Sequence, residues 1–290
     1  MVIHVQQAFR AVILAAFALF LLRLHGNGEI TKYINPEYIL LSKTAAYLFL
    51  FLLLVQLFRI AGKKPKSAHT CSHTCGCDHD HAGQPGKKVL SYSILVFPLL
   101  TGFFLPPQTL GASMAAKKGM VFTAQTADSS TQETDSALYD HAGIAASRKE
   151  MKQSEFERHM SRLEQDSLIH MENEVFEPYY REISTEPQNY AGRTVRMSGF
   201  VYKEDGFRPD QLALTRFLIT HCVADAGSIG FLTEFDEAAL VEQDMWLEIE
   251  GTIELTQYDG TEMPLLKVTS WEVIEEPDDP YVYPVYVKLL

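Results

Sequence analysis

The chain has 290 residues, of which 47% are hydrophobic and 21% charged, with a formal net charge of −12. That charge is split: residues 1–118 hold twelve Lys or Arg against four Asp or Glu, a net of +8, so the remainder carries −20. An acidic portion of this strength argues against a nucleic-acid partner, since phosphate contacts need Lys and Arg, and four cysteines without paired spacing argue against a disulfide-stapled secreted fold.

From Ala8 to Leu24 the chain is apolar except for Arg10 and Arg23, which can snorkel at either end, so residues 5–24 read as a first membrane span. A cleaved signal peptide competes, but no small-x-small site follows the apolar run directly and further hydrophobic spans come after it. Gly26, Asn27, Gly28, Asn35 and Pro36 break the chain, so the next helix must return antiparallel. Residues 38–60 are the strongest span, uncharged from Ala45 to Val55 and ending at Arg59, Lys63 and Lys64. Lys43 and Gln56 near its ends read as snorkelling and helix contacts before any transport role.

The following loop, 62–88, contains the feature around which the functional reading is built. Every second residue from His69 to His81 is His or Cys: His69, Cys71, His73, Cys75, Cys77, His79 and His81. In an extended segment alternate residues share one side. Thiolate and imidazole are ligands of Zn²⁺ and softer ions, and any four of these side chains could close a tetrahedron. The spacing is not that of a folded zinc finger, so the reading is a flexible binder with several registers. A polar loop that collected histidines by drift, or a tag-like run, is the bland alternative.

A third apolar segment, 89–110, contains Pro98, Pro106 and Pro107; a kinked third crossing is expected, with a re-entrant hairpin as runner-up. Arg59, Lys63, Lys64, Lys66, Lys87 and Lys88 put the second loop in the cytoplasm. Three crossings then leave everything after residue 111 extracytoplasmic, with Lys117 and Lys118 pulling weakly the other way. Without the third crossing the acidic part would be cytoplasmic.

Residues 119–148 lack an apolar period and read as a flexible linker. Over 149–185, Phe156, Met160, Leu163, Leu168, Met171, Val175 and Phe176 recur at helical steps, which predicts one amphipathic helix that Pro178 kinks or ends. His159 and His170 on it read as ordinary surface or packing histidines before ligands. From 186 to 290 the period becomes two. Strands are expected at 193–202, 212–220, 228–234, 245–255 and 265–274, with turns such as Glu204-Asp205-Gly206 and Tyr258-Asp259-Gly260. Five such strands suit a small OB-like barrel, with Gly199 at the bend of a coiled first strand and Leu247 to Ile253 as a second bent strand. The fold class is thus a membrane α-helical N-terminal region followed by a soluble α+β part.

A second constellation, His221, Cys222 and Asp225, ends an apolar strand. Three roles compete for it: a metal or ligand contact, a reactive thiol with His221 as base, and a buried Cys beside a capping Asp. Neighbouring strand residues point opposite ways, so His221 and Cys222 share a metal only where the strand bulges or ends.

Ile30 to Pro36, Pro98 to Gly102 with Pro106-Pro107, Lys117-Lys118-Gly119, Arg216-Phe217 and Cys222 to Ala226 together resemble the YcgQ-like family of bacterial membrane proteins. The resemblance implies a subunit of a two-component permease, encoded beside a multi-spanning permease partner; it supplies no catalytic residue. Similar members often carry Cys-Cys where this chain has His221-Cys222, a departure that weakens a disulfide and leaves a metal or thiol open. The expected function is a membrane-anchored accessory subunit of a permease, not an enzyme, in the lipid bilayer of the cell membrane, handling an ion such as Zn²⁺ through the loop. The alternative is an anchored surface module whose OB-like part holds an envelope ligand or a protein. A thiol enzyme centred on Cys222 comes third.

Overall fold

The computed structural model describes residues 5–61, 85–105, 108–118, 120–121, 150–258 and 260–288. The chain divides into two compact units: Met1–Ile30 with Ile39–Gln108, and Thr31–Tyr38 with Thr109–Leu290.

The first unit is made of helices α1 (Val5–Gly26), α2 (Ile39–Ala61) and α3 (Pro85–Phe104). Aromatic pairs fasten α1 to both others: Phe17 stacks on Phe49 at 5.5 Å, Phe9 meets Tyr92 edge-on at 4.8 Å, and Phe20 packs on Phe103 at 5.5 Å. Gly102 permits the last approach, since a Cβ there would lie 2.7 Å from the Phe20 ring. Two stretches, Gln7–Gly26 and Pro36–Ile60, are long and apolar enough to cross a membrane. Their outward residues, Tyr47, Phe51 and Phe58 among them, are large, apolar and exposed, the character hydrocarbon requires of a helix surface. The third apolar segment forms a helix that begins and ends earlier than the expected 89–110. Pro85 is tolerated where a helix has no internal donor to supply, and the helix ends at Phe104, before Pro106 and Pro107 in the sequence. Pro98 is accommodated inside it, with the Thr101 hydroxyl donating to the Pro98 carbonyl at 3.0 Å.

The second unit is built on five strands: β4 (Thr194–Tyr202), β5 (Gln211–Leu218), β6 (Gly227–Glu234), β7 (Trp246–Tyr258) and β8 (Thr261–Ile274). β4 pairs antiparallel with β5, β5 with β6, β7 with β8 and β7 with β4, while β6 and β8 pair in parallel. The ladders therefore return to the strand they started from. Alternation sorts the side chains into two cores. Val195, Met197, Leu214, Phe231, Ile249 and Leu266 fill one side of the sheet, whereas Phe200, Phe217, Ile219 and Leu232 belong to a second core shared with Ala112 and Ala115 of helix α4 (Ala112–Lys118). At Gly199 in β4 a Cβ would stand 2.6 Å from the Thr215 carbonyl oxygen, and β7 carries a register shift at Glu250/Gly251.

The amphipathic stretch expected as one helix over 149–185 is two: α5 (Gln153–Gln165) and α6 (Phe176–Thr185). Between them Leu168–His170 forms β3, parallel to β4, so its backbone is committed to the sheet. Pro178 lies in the first turn of α6, where a missing N–H costs nothing. The expected linker begins with a short strand β1 (Met120–Val121) paired to β6; residues 122–149 lie outside the described residues. Three further short strands complete the unit: β9 (Tyr281–Val282) beside β5, and β10 (Tyr286–Lys288) beside β2 (Glu150–Lys152).

Candidate functional site

β5 leaves the core through Ile219 and Thr220 and re-enters as β6 after His221, Cys222 and the 3-10 turn Val223–Asp225. Asp225 organises this turn. Its carboxylate accepts the backbone N–H of His221 at 2.9 Å and of Cys222 at 3.3 Å, and lies 2.9 Å from Nδ1 of the His221 ring. A short acidic side chain serves the first amides of a turn in this way, as at a helix N-terminus. On the exit side the Lys118 ammonium donates to the carbonyls of Ala224 (2.9 Å) and Ala226 (2.7 Å).

The segment Thr31–Tyr38 lies along the same turn. Asn35 donates its backbone N–H to the His221 carbonyl at 3.0 Å and Val223 donates its own to the Tyr33 carbonyl at 2.9 Å. These bonds flank an antiparallel bridge between Ile34 and Cys222. The Asn35 side chain is 1% exposed. Its amide donates to the carbonyls of Thr220 (2.9 Å) and Ile219 (3.3 Å), and its oxygen accepts the N–H of Glu37 at 3.0 Å. The Tyr38 ring packs 5.6 Å from the His221 ring.

Of the roles open to His221, Cys222 and Asp225, this geometry brings together the imidazole and the carboxylate. Cys222 is a free, partly exposed cysteine on an extended residue, φ −153°, and forms a capping box with Asp225 across the turn. The Asp225 oxygens are engaged by two amides and the ring. Among the described residues no group of three or more His, Cys, Asp or Glu is arranged to hold a metal ion, so these three are not assembled as a ligand set. The strip His69, Cys71, His73, Cys75, Cys77, His79 and His81 lies outside the described residues.

His159 and His170 fall on different elements, α5 and β3, yet both line a shallow cleft of about 70 Å³ with Arg162, Asp166, Glu172 and Tyr179. The Tyr179 hydroxyl donates to the His159 carbonyl at 2.7 Å.

Two side chains carry more of the site than the sequence suggests. Asn35 reads as a turn-forming breaker, but its side chain is a buried brace. Arg216 sits in the middle of a strand and is 1% exposed. Its guanidinium donates to the carbonyls of Pro280 (3.0 Å) and Asp279 (3.1 Å), approaches Ser198, and lies 5.1 Å from the centre of the Trp246 ring. Burial pushes its pKa down to about 10, with Asp279 pulling the other way. Arg216 thereby fastens the segment leading into β9 against β5, and the Ile219 N–H completes the attachment on the Val282 carbonyl at 3.0 Å.

Residues 9–121 match the DUF1980 N-terminal domain and residues 146–284 the DUF1980 C-terminal domain. The chain belongs to the DUF1980 family. The "UPF0703 protein YcgQ" of Bacillus subtilis is 35% identical over 288 residues, covering 95% of this chain and 99% of that one. A Streptococcus mutans relative named "Putative two-component membrane permease complex subunit" is 26% identical over 290 residues, covering 96% of this chain and 99% of the other. The expected YcgQ-like membership is therefore correct. The two DUF1980 domains leave unmatched almost the same stretch that reads as a linker. Among solved structures, "OBody NL8 bound to hen egg-white lysozyme" aligns with 29% of this chain and 98% of that chain, at 10% identity and a TM-score of 0.20, too low to carry an argument.

Proposed function

We propose that this DUF1980 protein is a membrane-anchored accessory subunit of a permease, with an OB-like barrel outside the cytoplasm and a metal-binding strip within it. The observation that carries the reading is the assignment of Thr31–Tyr38, the connection between α1 and α2, to the β unit. A membrane crossed by α1 and α2 then has the β unit on the side where that connection emerges. α2 leads away to the basic loop 62–88, which belongs in the cytoplasm. α3 starts beyond that loop and ends before Thr109, back in the β unit, so this reading takes it across as well, although its apolar run, Tyr92–Phe104, is shorter than those of α1 and α2.

The cyclic strand pairing and the close backbone approaches at Gly199 and Gly251 support the OB-like barrel. Three crossings are few for a pore, which favours an accessory part beside a multi-spanning partner, in keeping with the name of the Streptococcus relative. Zn²⁺ is the first choice for the strip because a thiolate or imidazole ligand occupies every second position along it. The surface-module alternative is less favoured, because α4 and the β9 segment already cover the outer apolar face of β4, β5 and β6. The decisive experiment is purification of the tagged protein from its own membranes in mild detergent. A multi-spanning permease recovered in near-equal amount supports the reading, and a protein recovered alone after cross-linking overturns it.

A further inference from the structure

We propose that the second edge of β8 is a strand-addition site for an extended, lysine- or arginine-bearing segment of another protein. The inference goes beyond the accessory-subunit reading and holds whatever that protein is. The sheet itself leaves the edge open. β8 pairs with β7 along its length but with β6 only through Leu265, Leu266 and Lys267. After the register shift at Glu250/Gly251, residues 270–274 run as a regular ladder against 246–250, and among the described residues nothing pairs with their other side. Such a run presents a row of outward N–H and C=O groups, the template that an added strand completes. The inner face of the strand reaches solvent there as well. Trp271 and Val273 stand opposite Ile249 and Leu247 of the core, and the Trp271 ring lies 5.6 Å from that of Phe235. Val273 is nonetheless 54% exposed, and Leu240, at the end of the 3-10 turn Asp236–Leu240 that follows Phe235, is 80% exposed.

Charge selects the occupant. Glu272 lies on the strand, Glu275 and Glu276 just past it, and Asp236 and Glu237 on the turn that follows Phe235; all are exposed. Of the cations on neighbouring elements, Arg196 is held by Glu250, and Lys203 donates to the Ala238 carbonyl, so the edge stays negative. Two copies joined edge to edge would set Glu272 against Glu272 at the middle of the run, and like charges directly opposite destabilise a strand pair. Residues 122–149 of this chain carry four Asp or Glu against Arg148 and Lys149, the wrong sign for the same place. A partner segment that alternates apolar residues with Lys or Arg fits both faces, its apolar side beside Trp271 and Val273 and its basic side beside Glu272.

The test uses the full-length protein in detergent at physiological salt and a short fluorescein-labelled peptide of alternating Lys and Val. Saturable binding, read by anisotropy, is expected for this peptide and not for one of alternating Glu and Val. Affinity should fall about tenfold or more when alternate amides of the Lys-Val peptide are N-methylated, which removes its strand donors and leaves its charge, and again when the protein carries Glu272→Lys, Glu275→Lys and Glu276→Lys together. Hydrogen exchange should slow on peptide addition at those amides of 270–274 that exchange fast in the free protein. The proposal is overturned if the Lys-Val peptide does not bind, if the N-methylated form binds as well, or if charge reversal leaves the affinity unchanged. Protection that falls elsewhere than 270–274 also overturns it, as does the absence of any fast amide in that run, since a second copy or this chain's own segment then already covers the edge.

Discussion

Replacing Arg216 tests whether a buried cation is held by backbone carbonyls. The guanidinium is charged, almost fully buried and pushed down to about 10, a depression that costs about 3 kcal/mol of folding free energy. That penalty applies below pH 10, where the group is charged in both the folded and unfolded states, and is relieved only above it. Against it stand the charge-assisted bonds to Asp279 and Pro280, each worth ~1.5–3 kcal/mol. Arg216→Lys keeps the charge but cannot present a planar fork to several carbonyls, so it should destabilise by about 2–4 kcal/mol. Arg216→Met removes the charge and the bonds together and keeps the stem beside Trp246, so the two changes partly cancel and leave a loss of about 1–2 kcal/mol. The expected order of stability is Arg, then Met, then Lys, the reverse of what charge similarity suggests. Urea unfolding followed by tryptophan fluorescence measures it, because both tryptophans, Trp246 and Trp271, lie in β7 and β8. A Lys variant as stable as the wild type would refute the carbonyl fork.

The remaining predictions concern the sheet, its surface and the strip. Gly230→Ala should cost about 3 kcal/mol or more, because the added Cβ would stand 2.1 Å from the Leu214 oxygen and 2.7 Å from the Thr215 Cα, backbone atoms that cannot turn aside; an unfolding midpoint close to wild type would contradict this. The Glu234 carboxyl is held below its ordinary range chiefly by the Lys267 ammonium and also by Arg208, with burial opposing. Its contribution is therefore present above the titration range of the unfolded carboxyl and is lost as pH falls through the lower, folded one. Between about pH 5 and pH 3 the wild type should lose more stability than Glu234→Gln, and identical acid curves would count against the ion pair. Replacing the His and Cys of the strip, from His69 to His81, by Ser and Gly should abolish Zn²⁺ or Cu(I) binding by the full-length protein; calorimetry showing undiminished binding would refute that assignment.

The sheet was legible because its physics is local. Alternation in Thr194–Tyr202 and Trp246–Tyr258 marks half-buried strands, Asp-Gly marks their turns, and Gly199 and Gly251 occur where neighbouring backbones come too close for a Cβ. The division of the amphipathic stretch was not legible, since Leu168, Met171 and Val175 keep helical spacing, whereas Ile169 packs on the core from a strand and Met171 and Val175 from a loop. β1, β9 and β10 have two or three residues each, too few for any period, and exist only because an edge of β5, β6 or β2 is there to pair with. In the site, a capping Asp225 was among the open readings and follows from its position three residues after Cys222. The part of Asn35 could not be read, because its partners, Ile219 and Thr220, lie more than 180 residues away.

The proposed topology puts the β unit outside the membrane and the His/Cys strip inside, and the native cysteines report on both at once. Intact cells would be treated with a membrane-impermeant maleimide, using a variant that keeps only Cys222 and another that keeps only Cys71, Cys75 and Cys77. Labelling of Cys222 before permeabilisation, and of the strip cysteines only after it, is the predicted result. Protection of Cys222 together with outside labelling of the strip, or the same sidedness for both sets, would contradict the account.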